Sequence, residues 1–292
     1  MKKLLSLVLV LTLLMSFAVP TFAADAVEIT IFHLNDTHSR VEEGDYDGMG
    51  LAKVATLVNE SRDAGDNVLL LDAGDALHGQ TIATISEGES IVDIMNLMGY
   101  DAMAAGNHDF NYGSDRLVEL AGLTDFPILS ANVMKADDTP LLEEYVIKEF
   151  DGVKVGIFGL STPETTYKTH PDNVAGLTFE DPTVTARAMV DLLDPMVDIV
   201  VCLGHIGEEG DYTAEGIVNA VDGIDVFVDA HSHTVYESGL VVNDTLIVQA
   251  GEYDKNLGVV SLSYENGAVT ASASLVTKEE APDIVPDEAV SA

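Results

Sequence analysis

The chain reads as an α/β domain, and three features carry that prediction. Short runs rich in Val, Ile and Leu end in Gly, Asp, Asn or His, and segments with helical spacing of apolar residues lie between them. The polar residues able to do chemistry gather where the apolar runs stop, which is where an open α/β sheet collects its ligands.

Taken in order, the apolar runs 27–34, 68–71, 128–129, 153–158, 199–203, 226–228 and 246–248 predict buried strands, since a parallel strand covered on both faces has no polar side. Between them, 49–64, 88–98, 116–123, 183–193 and 214–221 carry helical patterns. The end of the chain changes style. Segments 257–264 and 268–276 alternate around Glu265-Asn266-Gly267, the signature of an antiparallel hairpin closed by an Asn-Gly turn.

The first 23 residues place Lys2 and Lys3 before an apolar run over 4–19, then Pro20 and the small Ala23. This pattern predicts a signal peptide over 1–23, removed after Ala23, because the run is shorter than the roughly 20 residues of a membrane-spanning helix. The expected product is secreted, periplasmic or held in the cell envelope, with no membrane attachment after cleavage. Residues 24–277 form one catalytic domain in this reading. Residues 278–292, rich in Glu, Asp, Ala and Pro, read as a frayed acidic tail or a truncated interdomain connector.

A formal charge of −37 argues against nucleic-acid polymers and anionic membranes as partners. Any phosphate substrate then needs strong local positive charge, which bound metal ions supply. Cys202 is the only cysteine, so no intramolecular disulfide forms, and its place in Val200-Val201-Cys202-Leu203 makes it a small buried hydrophobe.

Five strand ends carry candidate ligands. Asn35-Asp36-Thr37-His38 is an Asp-x-His segment whose two side chains can chelate one ion, although an Asp there can also cap a turn. Gly74-Asp75-Ala76-Leu77-His78-Gly79 sets a carboxylate between glycines that allow close backbone approach, either to bridge two cations or to cap the next helix. Gly106-Asn107-His108-Asp109 offers an amide oxygen as a ligand and a histidine that, held by Asp109, can donate to a phosphate oxygen or leaving group. Gly204-His205 and Ala230-His231-Ser232-His233 follow two more apolar runs, and His-x-His in extended chain chelates borderline metals. A single buried histidine satisfied by backbone is ordinary; three at two strand ends call for another explanation.

In this order the segments resemble the calcineurin-like metallophosphoesterase superfamily, and within it the catalytic domain of secreted 5′-nucleotidases and their UDP-sugar hydrolase and cyclic-nucleotide phosphodiesterase relatives. The likeness covers about 29–258 and includes Phe32-His33-Leu34-Asn35-Asp36-Thr37-His38-Ser39-Arg40 and the stretch from Thr169 to Leu177. The resemblance implies a four-layer α-β-β-α sandwich with the site at one edge. It implies that Asp36, His38 and His233 hold one divalent metal, that Asn107, His205 and His231 hold a second, and that Asp75 bridges them. His108 with Asp109 is similar to the family's catalytic dyad, and Asn107 and His108, with Arg40, would meet the substrate. Arg40 reads more readily as a surface ion pair than as a phosphate contact, and His33, His78 and His170 match no ligand position and read as supporting or structural residues. The mixed carboxylate, imidazole and amide set suits Zn, Mn, Fe or Co.

The resemblance also implies a small phosphate ester or nucleotide as substrate, hydrolysed by metal-activated water. Full-length relatives carry a C-terminal domain that stacks the base between aromatic rings, and this tryptophan-free sequence stops after the hairpin. Three expectations follow: a stand-alone hydrolase, a catalytic half served by a separate chain carrying such a domain, or a secreted protein that only binds metal or ligand.

Overall fold

The computed structural model describes residues 26–291, so the expected signal peptide over 1–23 lies outside the described residues. In chain order the strands are β1 (Val27–Leu34), β2 (Val68–Asp72), β3 (Ala102–Ala104), β4 (Ile128–Leu129), β5 (Val133–Met134), β6 (Tyr145–Phe150), β7 (Val153–Ser161), β8 (Thr178–Phe179), β9 (Ile199–His205), β10 (Val226–Val228), β11 (Leu240–Val242), β12 (Thr245–Val248), β13 (Asn256–Glu265) and β14 (Ala268–Thr277). The helices are α1 (Leu51–Ala64), α2 (Thr81–Ser86), α3 (Glu89–Met98), α4 (Ser114–Ala121), α5 (Thr165–Lys168), α6 (Pro182–Leu193), α7 (Ala214–Ala220) and α8 (Glu288–Ser291).

Two six-stranded sheets form the centre, ordered β14-β13-β1-β2-β3-β4 and β11-β12-β10-β9-β7-β6. Period-two alternation divides their side chains among three cores. Ile29, Ile31, Leu69 and Leu71 of the first sheet meet Val155, Ile157, Val201 and Val228 of the second. On the first sheet's other face, Phe32, Leu34 and Leu70 pack under Val54, Val58, Ile91 and Met95 of α1 and α3. Phe158, Cys202 and Phe227 do the same beneath Met189, Leu193 and Val218 of α6 and α7. Helix, sheet, sheet, helix is the expected four-layer sandwich, and Cys202 is buried in it as its apolar neighbours require.

The parallel strands β1, β2 and β3 lie together in one sheet, and β9 and β10 in the other. Their carboxyl ends open on the same edge of the sandwich, so the loops leaving them converge. The hairpin forms as expected: Asn266 and Gly267 take φ of 52° and 84°, the two positive values of a type I′ turn, and β13 pairs antiparallel with β1. Strands β6 and β11 escape the sequence reading because they are partly exposed antiparallel edge strands, β6 mixing apolar and charged residues and β11 only three residues long.

The acidic end is not frayed over its described part. Thr277 and Glu280 form a capping box, Ala281 is fully buried, and Asp287 N–H donates to Ala52 O at 2.9 Å. Composition alone hides this docking, because a few apolar residues, among them Ala281, Ile284 and Val290, reach the core under α1 between charged neighbours.

Candidate metal centre

Asp36, His38, Asp75, His231 and His233 all adopt left-handed backbone, with φ of 50°, 47°, 60°, 75° and 54°. Such φ costs an L-residue about 1–2 kcal/mol, so five together are sustained only by the surrounding contacts. The contacts are present. Asn35 Nδ2 donates to Asp36 Oδ2 (2.8 Å) and Gly251 O (2.6 Å), while its Oδ1 accepts from Ala250 N–H at 2.9 Å. His231 N–H donates to the same Asp36 Oδ2 at 3.0 Å, tying the first loop to the last. Glycine is required where Asp75 meets the third loop: a Cβ on Gly106 would lie 2.3 Å from Asp75 Oδ1.

Asp36 Oδ1 is buried without a hydrogen-bond partner. It faces His233 Nε2 at 3.4 Å and His205 Nε2 at 4.0 Å. His205 Nδ1 lies 2.9 Å from Ala73 O, so it donates its proton there and turns the Nε2 lone pair toward Asp75 Oδ2 (3.2 Å) and Asn107 Oδ1 (3.2 Å). His233 repeats the pattern, with Nδ1 on Glu252 Oε2 at 2.9 Å and Nε2 toward Asp36. Lone pairs aimed at carboxylate lone pairs repel unless a positive charge stands among them. Ligand atoms about 2.1 Å from one ion and at right or tetrahedral angles lie about 3.0–3.4 Å apart. The donor spacing here fits divalent cations.

The same geometry displaces the titrations. Burial opposes charge on His205, yet Asp75, Asp36 and the bond to Ala73 prevail and push its pKa up to about 10. Burial likewise works against the Asp75 carboxylate, but His205, His108 and His38 hold it below the usual range. A proton on His205 does, without metal, what a cation does in its place.

The structure gathers Asp36, His38 and His233 into one donor cluster, Asp36, Asp75 and His205 into another, and His38, Asp75 and His108 into a third. Asp75 Oδ2 faces both His205 (3.2 Å) and His38 (4.0 Å), as a bridging carboxylate would. His231 sits beside His205, ring centroids 5.1 Å apart, with Nε2 on Glu164 Oε2 at 3.1 Å, which leaves Nδ1 as its available ligand atom. Arg40 ion-pairs with Asp47 and stacks 3.9 Å over the Tyr253 ring.

The expected pairing of His108 with Asp109 does not form. Asp109 is fully buried and its oxygens accept three backbone N–H groups, from Asp75 (2.9 Å), Leu77 (2.9 Å) and Gly106 (2.8 Å). His108 Nδ1 meets Asn111 Nδ2 instead, at 2.8 Å. The reason is local: residues His108–Tyr112 form a 3-10 turn, in which side chains three apart eclipse and adjacent ones point away. Sequence reasoning also passed over Glu164 and Glu252, which contact the rings of His231 and His233, and Asp229, which accepts from Ile206 and Gly207 N–H beside His205. His33 lies buried opposite Gly258, and burial pulls its pKa down to about 4. His170 is exposed, with Nδ1 accepting from Asp172 N–H at 3.3 Å. Neither joins the donor clusters.

An α-β-β-α sandwich with a cluster of carboxylate and histidine donors at its sheet ends is the architecture of a metallophosphoesterase. Residues 29–235 match the calcineurin-like phosphoesterase family model, and the chain belongs to that family. It is 35% identical to the 5′-nucleotidase of Bos taurus, the match covering 86% of this chain and 49% of that protein. It is 31% identical to the trifunctional nucleotide phosphoesterase protein YfkN of Bacillus subtilis, over 85% of this chain and 19% of that one. A crystal structure of calcineurin-like phosphoesterase YfkN from Bacillus subtilis superposes with a TM-score of 0.80 at 24% identity, covering 91% of this chain and 95% of that chain. The chain thus spans about half the length of the bovine relative. Family membership implies divalent metal ions, and the donor clusters fit them.

Proposed function

We propose that the chain hydrolyses small phosphate esters, nucleotides first among them, with two divalent ions held by Asp36, His38 and His233 on one side, Asn107, His205 and His231 on the other, and Asp75 between. The observation that carries this reading is the convergence of unpartnered or lone-pair-facing atoms of Asp36, Asp75, Asn107, His205 and His233 on one space. When bound, such ions clamp a phosphoryl group and bring the pKa of a bound water toward about 7. Zn, Mn, Fe and Co all suit the donors.

The chain's own residues supply the rest. His108, its Nδ1 occupied by the Asn111 amide, carries its proton on Nε2 when neutral and can donate to a phosphoryl or departing oxygen. Arg40 and Tyr253 form a cationic, aromatic wall beside His38 and His233, and Arg40 also lines, with Ser39, Asp47 and Gln80, an adjacent cavity of about 280 Å³. Asp109 acts on this site by holding the Asp75 loop.

Nucleotides are favoured as substrates by the named activities of the bovine and Bacillus relatives. A second reading rests on the 49% coverage of the bovine protein: base recognition comes from the part of such a relative that lies outside the match. We place catalysis in 24–277 and infer export through the leader at 1–23, with the product in the envelope or medium. No helix among the described residues is long and apolar enough to cross a membrane.

The test is hydrolysis by residues 24–292 with Mn²⁺ or Zn²⁺, read as phosphate released from 5′-AMP and p-nitrophenyl phosphate and as nucleoside monophosphate formed from UDP-glucose and a 2′,3′-cyclic nucleotide. Metal-dependent release with preference for AMP supports a stand-alone nucleotidase. Release only after the remaining domain of such a relative is supplied supports the second reading, and metal binding without turnover in either case refutes both.

A further inference from the structure

The Asn111 amide does more than hold His108. Its Nδ2 lies 2.8 Å from His108 Nδ1 and 3.1 Å from His78 Nδ1, so one amide group serves two rings. The Thr169 hydroxyl donates to Asn111 Oδ1 at 2.7 Å, which fixes the amide nitrogen toward the imidazoles. Asn173 Nδ2 donates both to Thr169 Oγ1 (3.2 Å) and to Asn111 O (3.0 Å), closing the brace. An imidazole that accepts at Nδ1 carries its proton on Nε2 when neutral, so both rings become donors of fixed direction. They lie parallel, 9° apart, with centroids 5.9 Å from each other.

We infer that His78 is a second substrate-contacting imidazole, donating beside His108 to the anionic oxygens of a phosphate ester. This rests on the phosphate-ester reading above. His38, His108 and His78 form a row leading out of the donor cluster, with centroid steps of 5.1 and 5.9 Å. His78 is half-buried, and among the described residues its Nε2 has no hydrogen-bond partner. Tyr112 lies against it at 5.1 Å, and the chain runs on to Gln80 and Thr81 in the wall of the cavity that holds Arg40. Two hydrogen bonds of about 2.7–2.9 Å can converge from rings so spaced on one phosphoryl group. His78 therefore adds binding, while His108, nearer the metal ligands, serves the reacting oxygen.

The experiment compares the parent with His78→Ala and His78→Gln as Mn²⁺-loaded protein of matched metal content. The readouts are kcat and KM for p-nitrophenyl phosphate, the inhibition constant of inorganic phosphate, and phosphate binding by calorimetry. Loss of one hydrogen bond to an anion should raise KM and weaken phosphate binding about tenfold in His78→Ala, with kcat changed less than about threefold. Gln, which keeps an N–H donor, should recover most of the affinity. Phosphate binding within twofold of the parent in His78→Ala overturns the assignment. So does a fall in kcat at unchanged KM that Gln does not rescue, since that marks a residue that only braces Asn111. If the parent binds phosphate but hydrolyses no ester, the function reading fails while the calorimetric comparison still decides the role of His78; if the parent binds none, both fail.

Discussion

Replacing Asp109 by Ala separates two roles for that carboxylate, and the structure sets the size of the effect. Three backbone N–H groups end on it in a fully buried site. A buried donor left unpaired costs about 1–3 kcal/mol, giving about 3–9 kcal/mol for the set, and the lower half of that range if water enters the vacated space. In a domain of this size each kcal/mol lowers Tm by about 2–4 °C, so the lower half of the energy range puts Asp109→Ala about 6–24 °C below the parent. Two of the three donors belong to Asp75 and Gly106, so the Asp75 carboxylate should lose its position and metal content should fall with stability. Calorimetric melting and metal analysis on the same preparation read both effects. Asn111→Ala is the counterpart: Asn111 is half-buried and its amide spans two rings, so Tm and metal content should stay near the parent while turnover drops. If Asp109→Ala kept its Tm and its metal and lost only kcat, Asp109 would be the orienting partner of His108 after all, and the hydrogen-bond argument would be refuted.

Other perturbations follow from the same contacts. Asp75→Asn should lose metal and activity together, because Asp75 Oδ2 faces both His205 and His38; retention of full metal by plasma emission analysis would contradict a bridging role. His108→Ala should keep both metals and slow turnover about 10²–10⁴-fold, the usual contribution of a positioned proton donor, and an unchanged rate would remove His108 from the chemistry. Gly106→Ala should cut metal affinity sharply, since its Cβ would meet Asp75 Oδ1 at 2.3 Å; dialysis against a metal buffer measures it. With metal stripped by EDTA, stability should fall as pH rises from about 6.5 toward 10. His205, with its pKa raised from 6.5 to about 10, contributes fully below the unfolded value and loses that contribution through the folded one. Burial raises Asp229 to about 7 and Asp254 to about 8, and a buried acid whose pKa rises on folding also loses stability with increasing pH, so the groups act in one direction. Urea midpoints flat across that range would contradict the assignment.

Much of this molecule is legible in its sequence because burial on both faces writes itself as unbroken Val, Ile and Leu. Strands β1, β2, β7, β9 and β10 were readable for that reason, and with them the points where ligands can stand. The clustering of donors was readable because chelation needs particular atoms at short spacing, and Asp36 and His38 of one segment do meet His233 of another. What surrounds the donors was not. Glu164 reaches His231 across 67 residues, and Asn35 reaches Gly251 across 216, distances at which spacing carries no information.

The misassigned partner of His108 is a different kind of failure, because the information was local. Asp109 is adjacent, charged and a familiar partner for histidine, whereas Asn111 is neutral and three residues on. In extended chain neither would share a face with His108, and in a 3-10 turn only the residue three positions on does. The turn also sends Asp109 inward, toward three backbone donors that a neutral side chain of its size could not all satisfy. The two acceptor oxygens therefore hold the Asp75 and Gly106 loops together, and the amide that can donate to two rings at once sits at the surface of the site beside His78 and His108. Each polar group stands where its donor and acceptor count fits; that count is written in the sequence, whereas the 3-10 turn and the distant donors that select Asn111 for His108 are set by the fold.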